Sequence, residues 1–168
     1  PPRFTALRSW GIFGGPLREA LHYLKFEGNL PMGEMLARPL IDLAGSQSWQ
    51  IDLVTPVPQG LDRKAVRGYN QAALLAWPVA LALGWQYRPR ALKKIRATRT
   101  QVGLNREQRW ENVSDAFWAD PCMVEGKQIL VIDDVTTSGA TLDSCAASLI
   151  AAGARAVFGL TLARAEGN

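Results

Sequence analysis

The run Gln128-Ile129-Leu130-Val131-Ile132-Asp133-Asp134-Val135-Thr136-Thr137-Ser138-Gly139-Ala140-Thr141-Leu142 constrains this chain more than any other stretch. Its first residues are apolar and rich in β-branched side chains, the composition of a buried strand. Two acids follow directly, and a buried strand is expected to end at them. Small and hydroxylated residues with one glycine come next, and from Leu142 to Ala152 an apolar, Ala-rich helical pattern resumes. Strand, acidic pair, small-residue turn and helix in that order describe a phosphate cradle. The amides of Thr137 to Thr141 can face an anion, the hydroxyls add donors, and the helix dipole favours negative charge. Asp133 and Asp134 would repel that phosphate, so they need another partner, either sugar hydroxyls or a magnesium ion. Neighbouring strand side chains point to opposite faces, so the two acids have different tasks unless the backbone turns between them. A sugar phosphate fits the whole arrangement. A solvated acidic turn before a Thr-capped helix explains single features but not their order.

At 168 residues the chain has the length of one domain with a sizeable core. Hydrophobic content of 48% and charged content of 20% place it among globular proteins rather than disordered ones. No apolar run approaches the roughly 18 residues of a transmembrane helix, so membrane insertion is not expected. Pro1-Pro2-Arg3-Phe4 carries neither Met nor a signal-peptide pattern, which suggests a fragment with upstream sequence missing. Cys122 and Cys145 lack CxxC spacing, so neither a zinc site nor a disulfide framework is indicated. Cys145 reads as a small buried hydrophobe, and the cytoplasm is the default location. The net charge is only +4, yet Arg88 to Arg109 holds eight basic residues and one acid, a local charge of +7. A polyanion is a reasonable partner for that segment.

Taken in order, Gly14-Gly15-Pro16 leads into a helix from Leu17 to Phe26, carrying the single histidine, His22, read as structural or merely exposed. A second helix runs from Pro31 to Ala44 with a kink or break expected at Pro39. Ile51 to Val54 reads as a short strand. The stiff loop Thr55-Pro56-Val57-Pro58-Gln59-Gly60 follows, at the edge where α/β ligand sites lie; a plain rigid turn fits those residues equally well. Arg63, Lys64 and Arg67 precede a helix capped by Asn70 and interrupted by Pro78. These cations suit an anion or a solvated loop. Trp85 to Tyr87 starts another strand. Ala97 to Gly103 has no period and reads as a mobile loop of the kind that closes over phosphorylated substrates, and Leu104 to Trp110 as a short helix. Phe117 and Trp118 belong to a strand or hairpin. Gly153 stops the last helix, Ala156 to Leu162 forms a final strand, and Arg164 onward is a tail. Alternating strands and helices imply an α/β fold with a mainly parallel twisted sheet flanked by helices.

The 128–142 run closely resembles the phosphoribosyl pyrophosphate (PRPP) motif of type I phosphoribosyltransferases. A sharper resemblance covers about residues 16–162. Val57-Pro58, Arg63, Arg67-Gly68-Tyr69-Asn70-Gln71, Leu74-Leu75-Ala76, Thr100-Gln101-x-x-Leu104, Arg109, Asn112 and Ala116-Phe117 are similar to the ComF family of competence-associated, phosphoribosyltransferase-like proteins. Leu24-Lys25-Phe26-x-Gly28-Asn29 fits that family's amino-terminal helix region. The resemblance implies a single phosphoribosyltransferase-type domain over 1–168. The upstream cysteine-rich zinc segment common in the family is absent from this sequence, and Thr136 stands where an aromatic residue often follows Asp-Asp-Val.

Roles follow from the resemblance, residue by residue. Asp133 and Asp134, the catalytic pair, would meet the ribose hydroxyls. Thr136, Thr137, Ser138, Gly139, Ala140 and Thr141 would form the loop for the ribose phosphate. Thr55, Pro56, Val57 and Pro58 with Arg63 and Arg67 would meet pyrophosphate, and Arg99, Thr100, Gln101 and Arg109 would belong to a flexible closing loop. Magnesium is expected through PRPP rather than through a dedicated protein site. No residue identifies the acceptor pocket or a general base. Three functions stay open: PRPP binding with a role in DNA uptake, natural transformation and recombination; phosphoribosyl transfer to an unknown acceptor; and PRPP sensing without turnover. The +7 segment and the aromatics Trp85, Tyr87 and Trp110 suit single-stranded DNA as well as they suit a pyrophosphate lid. Other competence or recombination proteins are further expected partners.

Overall fold

Two long apolar runs, Ile129–Ile132 and Val157–Leu162, lie side by side and organise the rest of the chain around them. The computed structural model describes residues 2–60, 68–98, 105–113 and 115–165. In order these form β1 (Ala6–Ile12), α1 (Gly15–Glu27), α2 (Leu30–Gly45), β2 (Leu53–Pro56), α3 (Gln71–Leu83), β3 (Gln86–Tyr87), β4 (Leu92–Lys94), α4 (Arg106–Val113), β5 (Phe117–Ala119), α5 (Pro121–Val124), β6 (Gln128–Thr136), α6 (Ala140–Ala151) and β7 (Ala156–Arg164). The main sheet has the order β1-β7-β6-β2-β3, and each pairing is parallel. This is the α/β architecture expected from the sequence.

Alternation along β6 splits the core in two. Ile129 and Val131 pack with Leu142, Cys145 and Leu149 of α6, whereas Leu130 and Ile132 pack with Leu40 of α2 and Leu75 and Val79 of α3. Each such side chain, taken fully out of water, contributes about 1.5–3 kcal/mol. A separate antiparallel ribbon of β4 and β5 rests on the α6 face. Ser148 Oγ of α6 holds it there by donating to the Phe117 carbonyl of β5 at 2.9 Å, and Ser144 Oγ, one turn earlier, donates to the Val113 carbonyl at the end of α4 at 2.6 Å.

Several boundaries differ from the sequence expectation. β6 does not stop at its acids but runs on to Thr136, because β7 extends to Arg164 and keeps offering backbone partners. Arg164 is therefore strand rather than tail. α6 begins at Ala140, two residues before the apolar pattern does, since Gly139 takes the left-handed conformation (φ 80°) that turns the chain into the helix. β1 has no counterpart in the sequence reading; it is an edge strand with mixed residues such as Arg8, Ser9 and Trp10, so no apolar run marks it.

Pro39 and Pro78 sit inside unbroken helices. The mutual packing of α2 and α3 outweighs the ~3 kcal/mol an internal proline costs. β2 is displaced to Leu53–Pro56. Val57 N–H donates to the Ile132 carbonyl, so the missing N–H of Pro56 falls on the side of β3, past the two residues β3 contributes. Arg109 lies on α4 rather than in a flexible loop. Among the described residues no helix is long and apolar enough to cross a membrane, and both cysteines are free, Cys145 buried and Cys122 exposed.

Candidate active site

The acidic pair stands at the carboxyl end of β6, where the sheet meets the turn into α6. Asp133 Oδ1 accepts the Asp134 N–H at 2.9 Å, and Asp134 Oδ1 accepts the Val135 N–H at 2.8 Å. Asp134 Oδ2 takes a third bond, from Gln71 Nε2 on α3 at 3.2 Å. Asp133 falls in a lateral row with Thr161 of β7 and Ser9 of β1, whose hydroxyls bond at 2.7 Å. Burial, and then the negative charge of Asp134, push the Asp133 carboxyl well above the usual carboxylate range. The two acids thus have unequal surroundings: one is steered by an amide from α3, the other is withdrawn toward the α6 side.

The string Tyr69-Asn70-Gln71 connects three parts of the site. Gln71 Oε1 accepts from Gln59 Nε2 in the loop after β2, so one amide chain runs from that loop to Asp134. Asn70 caps α3 by accepting the Ala72 N–H at 3.0 Å and donates to the Val57 carbonyl at 3.0 Å. Tyr69 Oη donates to the Leu24 carbonyl at 2.7 Å and accepts the Gly28 N–H at 2.8 Å, tying the site to the end of α1. The sequence displays these residues as a string and marks the Asn70 cap; their other partners lie 12 to 63 positions away and leave no local signal. Lys94 on β4, one of the eight basic residues of the 88–109 segment, also acts on the core beneath the site. Its Nζ donates to Thr98 Oγ1 at 2.6 Å, and its charge opposes that of Asp133 at the Cys145 thiol, which burial chiefly drives upward.

Among the proposed loop residues, Thr136 is the buried last residue of β6, Thr137 is exposed, and Ala140 and Thr141 form the first turn of α6. Ser138 Oγ accepts the Ala140 N–H at 3.4 Å. Thr136 to Gly139 make one wall of a cleft of about 450 Å³ that Phe4, Arg8, Trp10, Ile12 and Arg164 complete. Thr55 and Pro56 are buried within β2, and the chain becomes partly accessible from Pro58 to Gly60. Arg63, Arg67, Arg99, Thr100 and Gln101 lie outside the described residues, as does the side chain of Arg109. Among the described residues no group of three His, Cys, Asp or Glu side chains could hold a metal. Two adjacent carboxylates still offer the hard oxygen donors magnesium prefers, provided that a ligand completes its shell.

No protein-family model matches the chain. It is 33% identical over 162 residues to the DNA utilization protein YhgH of Salmonella typhi, covering 94% of this chain and 71% of that protein. The YhgH protein of Escherichia coli is 32% identical over the same length. Competence protein F of Haemophilus influenzae is 31% identical over 163 residues, 92% of this chain and 71% of that one. Among solved structures, the allosteric regulatory enzyme of purine biosynthesis superposes with a TM-score of 0.51 and 27% identity over 77% of this chain. The glutamine PRPP amidotransferase of B. subtilis gives a TM-score of 0.50 over 79% of this chain; its 23% identity supports likeness of fold alone. The match covers 25% of each of those larger chains. With 31–33% identity to YhgH and competence protein F across nearly its whole length, the protein belongs to the ComF family of competence and DNA-utilization proteins, built on the type I phosphoribosyltransferase fold.

Proposed function

We propose that the protein binds PRPP with magnesium and acts, in the cytoplasm, in the use of incoming DNA during natural transformation and recombination. The observation that carries this reading is Asp134 held by Gln71 directly beside the Thr137–Thr141 turn. DNA binding alone gains nothing from two carboxylates next to a phosphate cradle, whereas a ribose phosphate uses both. In this reading the ribose hydroxyls meet Asp134 and Asp133, the phosphate meets the amides at the start of α6, and pyrophosphate lies toward Val57–Gly60. Magnesium, when bound, supplies charge neutralisation for the leaving pyrophosphate. As a transferase the protein would let an acceptor lone pair bond to the anomeric carbon. The carbon–oxygen bond to pyrophosphate breaks, its electron pair leaves with pyrophosphate, and the acceptor's proton passes to water.

A second reading, nucleic-acid contact through the basic segment, is favoured by one feature of the ribbon. The Lys93 ammonium lies 5.2 Å from the ring centre of Trp118, which is 41% exposed. Such a cation–aromatic pair suits a single-stranded backbone with a stacked base. Calorimetric titration of PRPP and magnesium into the wild type and into Asp133→Ala/Asp134→Ala decides between them. Saturable binding that the double variant loses supports the site, and pyrophosphate release on adding acceptors separates a transferase from a sensor. No PRPP binding, with salt-dependent binding of single-stranded DNA, would overturn the first reading and leave the second.

A further inference from the structure

We infer that α2, with the apolar cleft beside it, is a self-complementary surface at which two copies of this chain pair about a two-fold axis. The cleft, about 710 Å³, is lined by Trp10 of β1, Leu17 of α1, Met35 and Leu36 of α2 and Leu162 of β7. Trp10 and Met35 leave 52% and 56% of their surfaces exposed, and Ile12 and Phe13, which follow Trp10 along the chain, are exposed as well. Large apolar side chains grouped around one cleft at a sheet edge mark an interaction surface, whereas the same residues scattered singly would need no partner.

The charges at this cleft select the partner. Its only charged lining residues are Arg38 and Asp42, about one turn apart on α2. Both are exposed, and neither forms an ion pair with a described residue, not even with the other. A nucleic acid or an anionic membrane would meet Asp42 with like charge, and a basic peptide would meet Arg38 in the same way. A second copy of this chain carries both signs at the matching separation. When two α2 helices lie antiparallel across an axis level with Leu40, midway between the two charges, Arg38 of each copy stands against Asp42 of the other. Met35, on the same face a turn before Arg38, then faces the last turn of the second α2. A parallel, in-register alignment would set Arg38 against Arg38 and Asp42 against Asp42, so the charges also fix the orientation. The surface does not involve the acidic pair, and the inference does not rest on the PRPP reading.

Sedimentation velocity of the full chain over a concentration series tests the pairing, with a reversible monomer–dimer equilibrium as the expected result. Arg38→Asp and Asp42→Arg each bring like charges together at both reciprocal contacts and should raise the dissociation constant at least about tenfold. The double variant Arg38→Asp/Asp42→Arg restores opposite signs and should return to within about threefold of wild type. Arg155→Asp makes the same change of charge at an exposed site just before β7, outside the cleft, and should leave the equilibrium unaltered. All these side chains are exposed, and thermal unfolding of each variant verifies that it is folded. A wild type that stays monomeric at the highest concentration reached would overturn the inference. So would a dimer that the single reversals do not weaken, or a double variant that pairs no better than either single one.

Discussion

Gln71 Nε2 donates to Asp134 Oδ2 over 3.2 Å, joining the start of α3 to the end of β6 through side chains 63 residues apart. The same Gln71 accepts from Gln59, so its amide is oriented from both ends. Gln71→Ala should free the Asp134 carboxylate and lower PRPP affinity by about ten- to a hundredfold, from the 1.5–3 kcal/mol of a hydrogen bond to a charged group. Titration calorimetry measures the change. Unaltered affinity would mean that Asp134 is positioned by its own backbone bond to Val135.

The raised Asp133 carboxyl makes stability depend on pH in a defined direction. A folded-state value above the ordinary 3.8 means that the native protein holds more protons than the unfolded chain between the two values. Stability is therefore full below the ordinary value and falls as pH rises toward the folded-state one. Asp133→Asn should flatten that part of the Tm-against-pH curve and raise Tm at neutral pH. A wild-type curve no steeper than the variant's would remove burial as the cause. If PRPP and magnesium need the ionised form, their binding releases a proton, read as a dependence of binding heat on buffer.

Thiol chemistry tests the packing beneath the site. Cys145 is fully buried on α6 and its thiol is pushed well up, chiefly by burial and then by Asp133; Cys122 is exposed at the start of α5. A thiol reagent should label one cysteine of the native protein readily and the second only after denaturant is added. Mass mapping should place the first label on Cys122. Rapid native labelling of Cys145 would show that α6 opens from the sheet.

The acid pair and the α6 turn were legible because strand, acids, small residues and helix follow one another without interruption. The parallel sheet followed from the same alternation of patterns. β1 was not legible: an edge strand buries only part of one face, and Arg8, Ser9 and Trp10 break any apolar run. The end of β6 lies past its acids, at Thr136, for a related reason. Acids end a buried strand in isolation, but here each carboxylate accepts a neighbouring backbone N–H while β7 continues the ladder. Gln59 lies in the loop after β2 and Lys94 in the basic segment, both marked by the sequence, but their links to Gln71 and to the Cys145 thiol come from long-range placement and not from residue type.

Tyr69 separates structural from ligand-binding roles within the Tyr69-Asn70-Gln71 string. Its hydroxyl both donates to Leu24 and accepts from Gly28, satisfying two backbone groups where α1 ends. The approach is close enough that a Cβ on Gly28 would lie 2.2 Å from the Leu24 carbonyl oxygen and 2.9 Å from the Tyr69 ring. Tyr69→Phe leaves those groups to water at a part-buried site, so it should lower stability by about 1 kcal/mol. Gly28→Ala forces backbone apart and should cost more than Tyr69→Phe. Urea unfolding midpoints give both values. Among the described residues neither Tyr69 nor Gly28 hydrogen-bonds Asp133 or Asp134, so PRPP affinity measured well below the midpoint should stay within about threefold of wild type, a difference of under 1 kcal/mol. A Tyr69→Phe variant that unfolds normally but loses PRPP would show instead that the α1 tie sets the geometry of Gln71, and through it the acidic pair.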